Sequence, residues 1–178
     1  MSEFQFFMDR AQRDFSRSLE AKVVTLLRDK GYTIAVAESV TGGLVSRIFT
    51  NMPGSSAYFI GGAVCYSPRA KIIQTGIEPK IIAEHGIVSE ETAIGLARGI
   101  RQRLVTTLGL GITGVAGPEA HGGRPVGTVF IAVADKHGDS VKEFVFEGDR
   151  AEIQQRAAEA AFGMLMIYGT GEEKTIEH

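Results

Sequence analysis

Apolar positions fall into stretches with a helical period and stretches with the shorter period of strands, and glycine or proline stands at most of the boundaries. Leu19, Val23, Leu26 and Leu27 recur at helical spacing and Gly31 closes the run, so residues 5–30 are predicted to form a helix. A strand is predicted at 33–37 and a helix at about 42–51, followed by a loop at Pro53-Gly54-Ser55-Ser56. Tyr58 to Tyr66 reads as a strand despite Gly61-Gly62. Ser67-Pro68 then reads as an N-cap with proline at the first helical position, opening a short helix to Ile73. Pro79 opens another to about His85, and Ser89-Glu90-Glu91-Thr92 starts a longer one to Leu104. Strands are expected at 108–113, 127–134 and 140–147, and a last helix at about 150–168. The Asp135–Asp139 link is of hairpin length. This order predicts an α/β fold: a single three-layer α/β/α domain over residues 1–168, with a mixed sheet of about five strands. Residues 169–178 are polar and are expected to form a disordered tail.

Composition narrows the function classes. The chain has 178 residues, 44% of them apolar and 22% charged, with a net charge of −2. That balance gives no electrostatic footprint for nucleic acid. No apolar run approaches the roughly 18 residues of a membrane span. The N-terminal Met-Ser-Glu-Phe has no basic region before an apolar run, so no secretory leader and a cytoplasmic location are expected. The lone cysteine, Cys65, excludes an internal disulfide. His85, His121, His137 and His178 are scattered without metal-ligand spacing, and no metal or other cofactor is expected. Phe4, Phe6, Phe7 and Met8 suit either a partner chain or the chain's own core; a homo-oligomer is the expectation.

Four segments carry candidate chemistry. Ala37-Glu38-Ser39-Val40-Thr41-Gly42-Gly43 places a serine at a strand-to-helix turn, where α/β folds bind ligands. The turn is expected to expose Ser39, and backbone N–H groups of Thr41, Gly42 and Gly43 to hold an anion or oxyanion. The alternative is a capping turn in which Ser39 or Thr41 caps the next helix. Thr113-Gly114-Val115-Ala116-Gly117-Pro118 leaves a strand as small residues, either a ligand pocket lined by main-chain groups or a surface loop. Tyr66 and Lys71 can aim a phenol and an amine at one point; a lysine becomes a general base when burial lowers its pKa. The alternative is a core tyrosine and an exposed lysine. Arg150, at a helix start that disfavours a cation, fits phosphate or carboxylate binding, or is simply solvated. Gly109-Leu110-Gly111-Ile112-Thr113-Gly114, with Asp135 about 20 residues on, matches the dinucleotide fingerprint only in letters. Its glycines lie within a strand, and the glycines and prolines of 115–126 preclude the crossover helix.

These segments occur in one order together with Pro53-Gly54-Ser55-Ser56, Gly86-Ile87-Val88-Ser89, Pro125-Val126-Gly127-Thr128-Val129 and Gly148-Asp149-Arg150. In that order the chain resembles the CinA C-terminal domain family (the competence/damage-inducible proteins) over about residues 15–168, in its stand-alone form. Characterised members of that family are nicotinamide-nucleotide amidases. The resemblance implies hydrolysis of nicotinamide mononucleotide (NMN) to nicotinic acid mononucleotide and ammonia, in pyridine-nucleotide recycling. It implies Ser39 as nucleophile, with Tyr66 and Lys71 activating it, and Thr41, Thr113 and Arg150 lining the site. Cys65 and Arg124 depart from the residues usual there. The expected route moves the Ser39 proton through Tyr66 to neutral Lys71. Two alternatives stand beside this: a non-catalytic nucleotide- or partner-binding protein of the competence or DNA-damage response, and an amidase or esterase for another small amide.

Overall fold

The computed structural model describes residues 18–171, so the expectations for Phe4, Phe6, Phe7, Met8 and residues 172–178 lie outside the described residues. The chain runs α1 (Leu19–Asp29), β1 (Ile34–Glu38), α2 (Leu44–Thr50), a 3-10 turn (Ser55–Ala57) and β2 (Phe59–Val64). It continues through α3 (Pro68–Thr75), α4 (Pro79–His85), α5 (Glu90–Leu104) and β3 (Leu108–Gly114). β4 (Thr128–Ala134), β5 (Asp139–Val145) and α6 (Arg150–Thr170) complete it. The five strands form one sheet in the order β2-β1-β3-β4-β5. β2, β1 and β3 are parallel, whereas β4 and β5 are added antiparallel. The sheet is therefore mixed, and the fold is α/β.

Local chemistry accounts for most boundaries. Ser67 Oγ accepts from Ala70 N, Ser89 Oγ from Thr92 N, and Asp149 forms a reciprocal capping box with Glu152. The hairpin between β4 and β5 is closed by Asp135, whose Oδ1 accepts from His137 N and Gly138 N. The last helix runs to Thr170, two residues past the expected end, and Gly171 caps it in the left-handed conformation.

The central strands are buried along their whole length, with apolar residues on both faces. On one face Ile34, Val36, Leu110 and Ile131 meet Val23, Leu27, Val45, Phe49 and Phe162 from α1, α2 and α6. On the other, Ala35, Ala37, Ala132 and Ala134 meet Ala93, Leu96, Ala97 and Ile100 of α5. Two glycines of the false dinucleotide fingerprint, Gly109 and Gly111, belong to this second interface. A Cβ on Gly109 would strike the carbonyl of Ala97, and one on Gly111 that of Ala93. They are glycine so that α5 can lie close on the sheet, not to approach a pyrophosphate. Among the described residues, no helix is long and apolar enough to cross a membrane.

Candidate active site

β1 ends by placing a carboxylate and a hydroxyl side by side. Its last residue, Glu38, pairs with Ile112 of β3 and Val64 of β2, and Ser39 N donates to Ile112 O at 2.9 Å. Ser39 thus sits at the carboxyl end of the parallel strands, at the floor of a cavity of about 340 Å³. Contrary to the expected exposure, Ser39 is only 8% accessible.

Lys71 reaches Ser39 from α3. It is 1% accessible, and its Nζ lies 2.7 Å from Ser39 Oγ and 2.8 Å from Cys65 O. Among the described residues no carboxylate forms an ion pair with it. Burial disfavours its charged form and lowers its pKa to about 8, with Cys65 acting in the opposite direction. The Cys65 thiol is pushed up to about 11, mainly by burial, and donates to Gln74 Oε1. It is therefore a protonated bystander, and its carbonyl is the part that meets the lysine.

Tyr66 and Arg150 form the opposite wall. Tyr66 follows β2 and is 63% accessible. Its hydroxyl accepts from Arg150 Nη2 at 2.7 Å, and Arg150 Nη1 donates to Gly117 O at 2.6 Å. The arginine at the first position of α6 is thereby tied to two other segments. The expected proton relay through Tyr66 differs from this geometry, in which the amine touches the serine directly and the phenol is engaged by Arg150. Thr113, Gly114 and Ala116 line the cavity, and Thr113 Oγ1 donates to Ile87 O at 2.7 Å.

The other turn residues are placed differently from expectation. Thr41, Gly42 and Gly43 do not line the cavity. Gly42 N donates to Ser39 O, and Gly43 N to Glu38 Oε2, so neither N–H is available to a ligand. Neither Ser39 nor Thr41 caps α2; its N-cap is Gly43, which has no side chain to do so. The capping group is Glu38, fully buried, whose carboxylate accepts from Gly43 N, Val45 N and Ser46 N and from the hydroxyls of Thr41 and Ser46. Sequence reasoning gave Glu38 no role of its own. The available signal was a carboxylate closing an otherwise apolar strand immediately before the serine. Ile87, Glu119 and His121 also line the cavity without having been singled out as site residues. Among the described residues, no cluster of metal-ligating side chains exists.

Comparison with known proteins places the chain in a family. The model of the CinA C-terminal domain family matches residues 16–168. A "CinA-like protein" of Koribacter versatilis is 46% identical over 151 residues, covering 83% of this chain and 36% of the relative. One of Solibacter usitatus is 42% identical over 168 residues, covering 94% and 40%. The chain thus spans well under half the length of these curated relatives. Among solved structures, a competence-damaged protein (CinA) superfamily protein of Klebsiella pneumoniae superposes with a TM-score of 0.83 at 27% identity, covering 86% of this chain and 96% of that one. A competence/damage inducible protein of Agrobacterium tumefaciens gives 0.79 at 31% identity, covering 83% and 92%. With a family match over nearly all the described residues and relatives above 40% identity, the chain belongs to the CinA C-terminal domain family.

Proposed function

We propose that the chain is a serine amidase that hydrolyses the carboxamide of nicotinamide mononucleotide to nicotinic acid mononucleotide and ammonia, in the cytoplasm. The observation that carries this reading is the 2.7 Å contact between Ser39 Oγ and a buried Lys71 Nζ whose pKa has fallen to about 8. Burying a lysine without a carboxylate partner is costly. A protein that only held a nucleotide would gain nothing from it, whereas a base poised near neutral pH activates a weak nucleophile.

In the reaction, neutral Lys71 takes the Ser39 proton as Oγ bonds to the carboxamide carbon. The carbonyl electron pair moves onto oxygen. When the oxyanion collapses, the C–N bond breaks and Lys71 returns the proton to the departing nitrogen, releasing ammonia. Water then attacks the ester, loses a proton to Lys71, and Ser39 leaves with it. No step calls for a redox group. Arg150, Tyr66 and the small-residue segment 113–117 form the wall suited to the ribose and phosphate: a guanidinium pairs well with phosphate, and main-chain groups there can approach closely.

The test is a substrate panel. Purified protein is offered nicotinamide mononucleotide, nicotinamide, nicotinamide riboside and NAD, and ammonia is followed. Turnover restricted to the mononucleotide supports the reading. Preference for an unphosphorylated amide would point to a different small-amide hydrolase, and binding without turnover of any compound to a nucleotide-binding protein.

A further inference from the structure

The buried Glu38 carboxylate has a distribution of hydrogen bonds that bears on the chemistry of its neighbour. It accepts five, three at Oε2 and two at Oε1, between 2.6 and 3.1 Å, and all five donors lie within eight residues after it. None comes from a cation: the donors are three backbone N–H groups and two hydroxyls. The carboxylate thus gathers the turn and the first residues of α2 around itself and draws the N–H groups of Gly43, Val45 and Ser46 inward, away from the cavity. Gly42 N is taken by Ser39 O. Among the described residues, the N–H groups left in the turn without a hydrogen-bond partner are those of Val40 and Thr41, directly after the serine. Val40 lines the cavity, and its carbonyl is fixed by Gln154 Nε2 at 2.9 Å.

We infer that Glu38 is a positioning residue: its buried carboxylate sorts the backbone donors of the turn so that the N–H group of Val40, the turn residue that lines the cavity, forms the oxyanion site beside Ser39. This rests on the serine-hydrolase reading of the site. A donor immediately after a nucleophile lies where charge develops on the attacked carbonyl, and a donor held by a rigid frame needs no reorganisation as that charge appears. Glutamate is required because only an acceptor-only group satisfies five donors; the amide of glutamine would turn an NH2 toward at least one of them.

Two substitutions and two readouts test this. Glu38→Gln in the full chain should lower kcat for nicotinamide mononucleotide about 100-fold, the loss typical of a missing oxyanion donor, with KM within about twofold of wild type. Ser46→Ala removes one hydroxyl donor to Oε1 and keeps the backbone bond; it should lower kcat several-fold with the same unchanged KM and a cooperative melt. It carries the test if Glu38→Gln fails to fold. The second readout is the rate at which a fluorophosphonate labels Ser39. There the serine oxygen bonds to phosphorus, fluoride leaves, the proton passes to Lys71, and the phosphoryl oxygen occupies the oxyanion position. Labelling should slow in both variants, in parallel with kcat. If wild type turns over no amide but is labelled, and the variants are labelled more slowly, the substrate assignment fails and the positioning role stands. Wild-type kcat and labelling in a folded variant, a loss confined to KM, or no labelling of wild type would each overturn the inference.

Discussion

Lys71 shows how far a single residue can depart from what its neighbours in sequence imply. The inward positions of α3 are Lys71 and Thr75, both polar, while Ile73 of the same helix is 55% accessible. A reading by hydropathy puts Lys71 in water, and only the packed structure reverses it. Its chemistry follows from that burial. In the proposed mechanism Lys71 acts as a base in its neutral form, so kcat/KM should rise with pH and level off above about 8, the value burial gives its amine. A pH profile flat from 6 to 9 would contradict this. Stability should follow the same sign. The folded-state pKa lies below the ordinary 10.5, so between about pH 8 and 10.5 the unfolded chain binds more protons, and stability rises with pH through that window. The gain is at most about 3 kcal/mol, from about 1.4 kcal/mol per unit. Thermal melts of wild type and Lys71→Met should therefore diverge in favour of wild type as pH is raised from 7 to 10. Ser39 was legible as a candidate, since a serine between a strand and a Gly-Gly pair is conspicuous. Glu38 was not, because a carboxylate at a strand end reads equally as a solvated terminus until its five donors are seen.

At the scale of elements, the period of apolar residues located the strands and helices of the described chain to within a few residues, except that α1, expected from residue 5, starts at Leu19 because the Ser18 side chain caps it there. The serine and proline starts of α3, α4 and α5 stand where the sequence put them. What pattern could not supply was contact between elements. The letters Gly-Leu-Gly are the same whether they face a phosphate or a helix, and the close approach of α5 decides between the two. Gly111→Ala would drive a methyl group into the Ala93 carbonyl. It should destabilise the protein by about 1–3 kcal/mol, the range for overpacking a tight interface. A denaturant midpoint unchanged from wild type would show that α5 yields at this point. The short helix α2 depends on an unusual cap for the same reason of proximity: its own N-cap is a glycine, and the strand before it provides the carboxylate.

At the scale of the whole molecule, the site is a convergence of distant segments. The turn after β1, the connector after β2, the first turns of α3 and α6, and the segment leaving β3 all meet at the carboxyl ends of the parallel strands. Arg150 joins two of them across 84 and 33 residues of chain, to Tyr66 and to Gly117. Arg150→Ala should raise KM for the mononucleotide about tenfold or more, since a charge-assisted contact to phosphate is worth roughly 1.5–3 kcal/mol, and change KM for the unphosphorylated riboside little. An equal effect on both compounds would remove phosphate from its role. Such convergence is invisible to a linear motif, which is why the order of segments, and not any one of them, carried the family resemblance.

In the reaction proposed for this site, Ser39, activated by Lys71, opens the carboxamide of a nicotinamide nucleotide. The most direct measurement follows ammonia and nicotinic acid mononucleotide together, from wild type, Ser39→Ala and Lys71→Met, each shown to be folded by its thermal melt. Equal amounts of the two products from wild type, and a loss of at least about a thousandfold in both variants, is the predicted result. Near-wild-type turnover by folded Ser39→Ala, or no product from wild type, would contradict it.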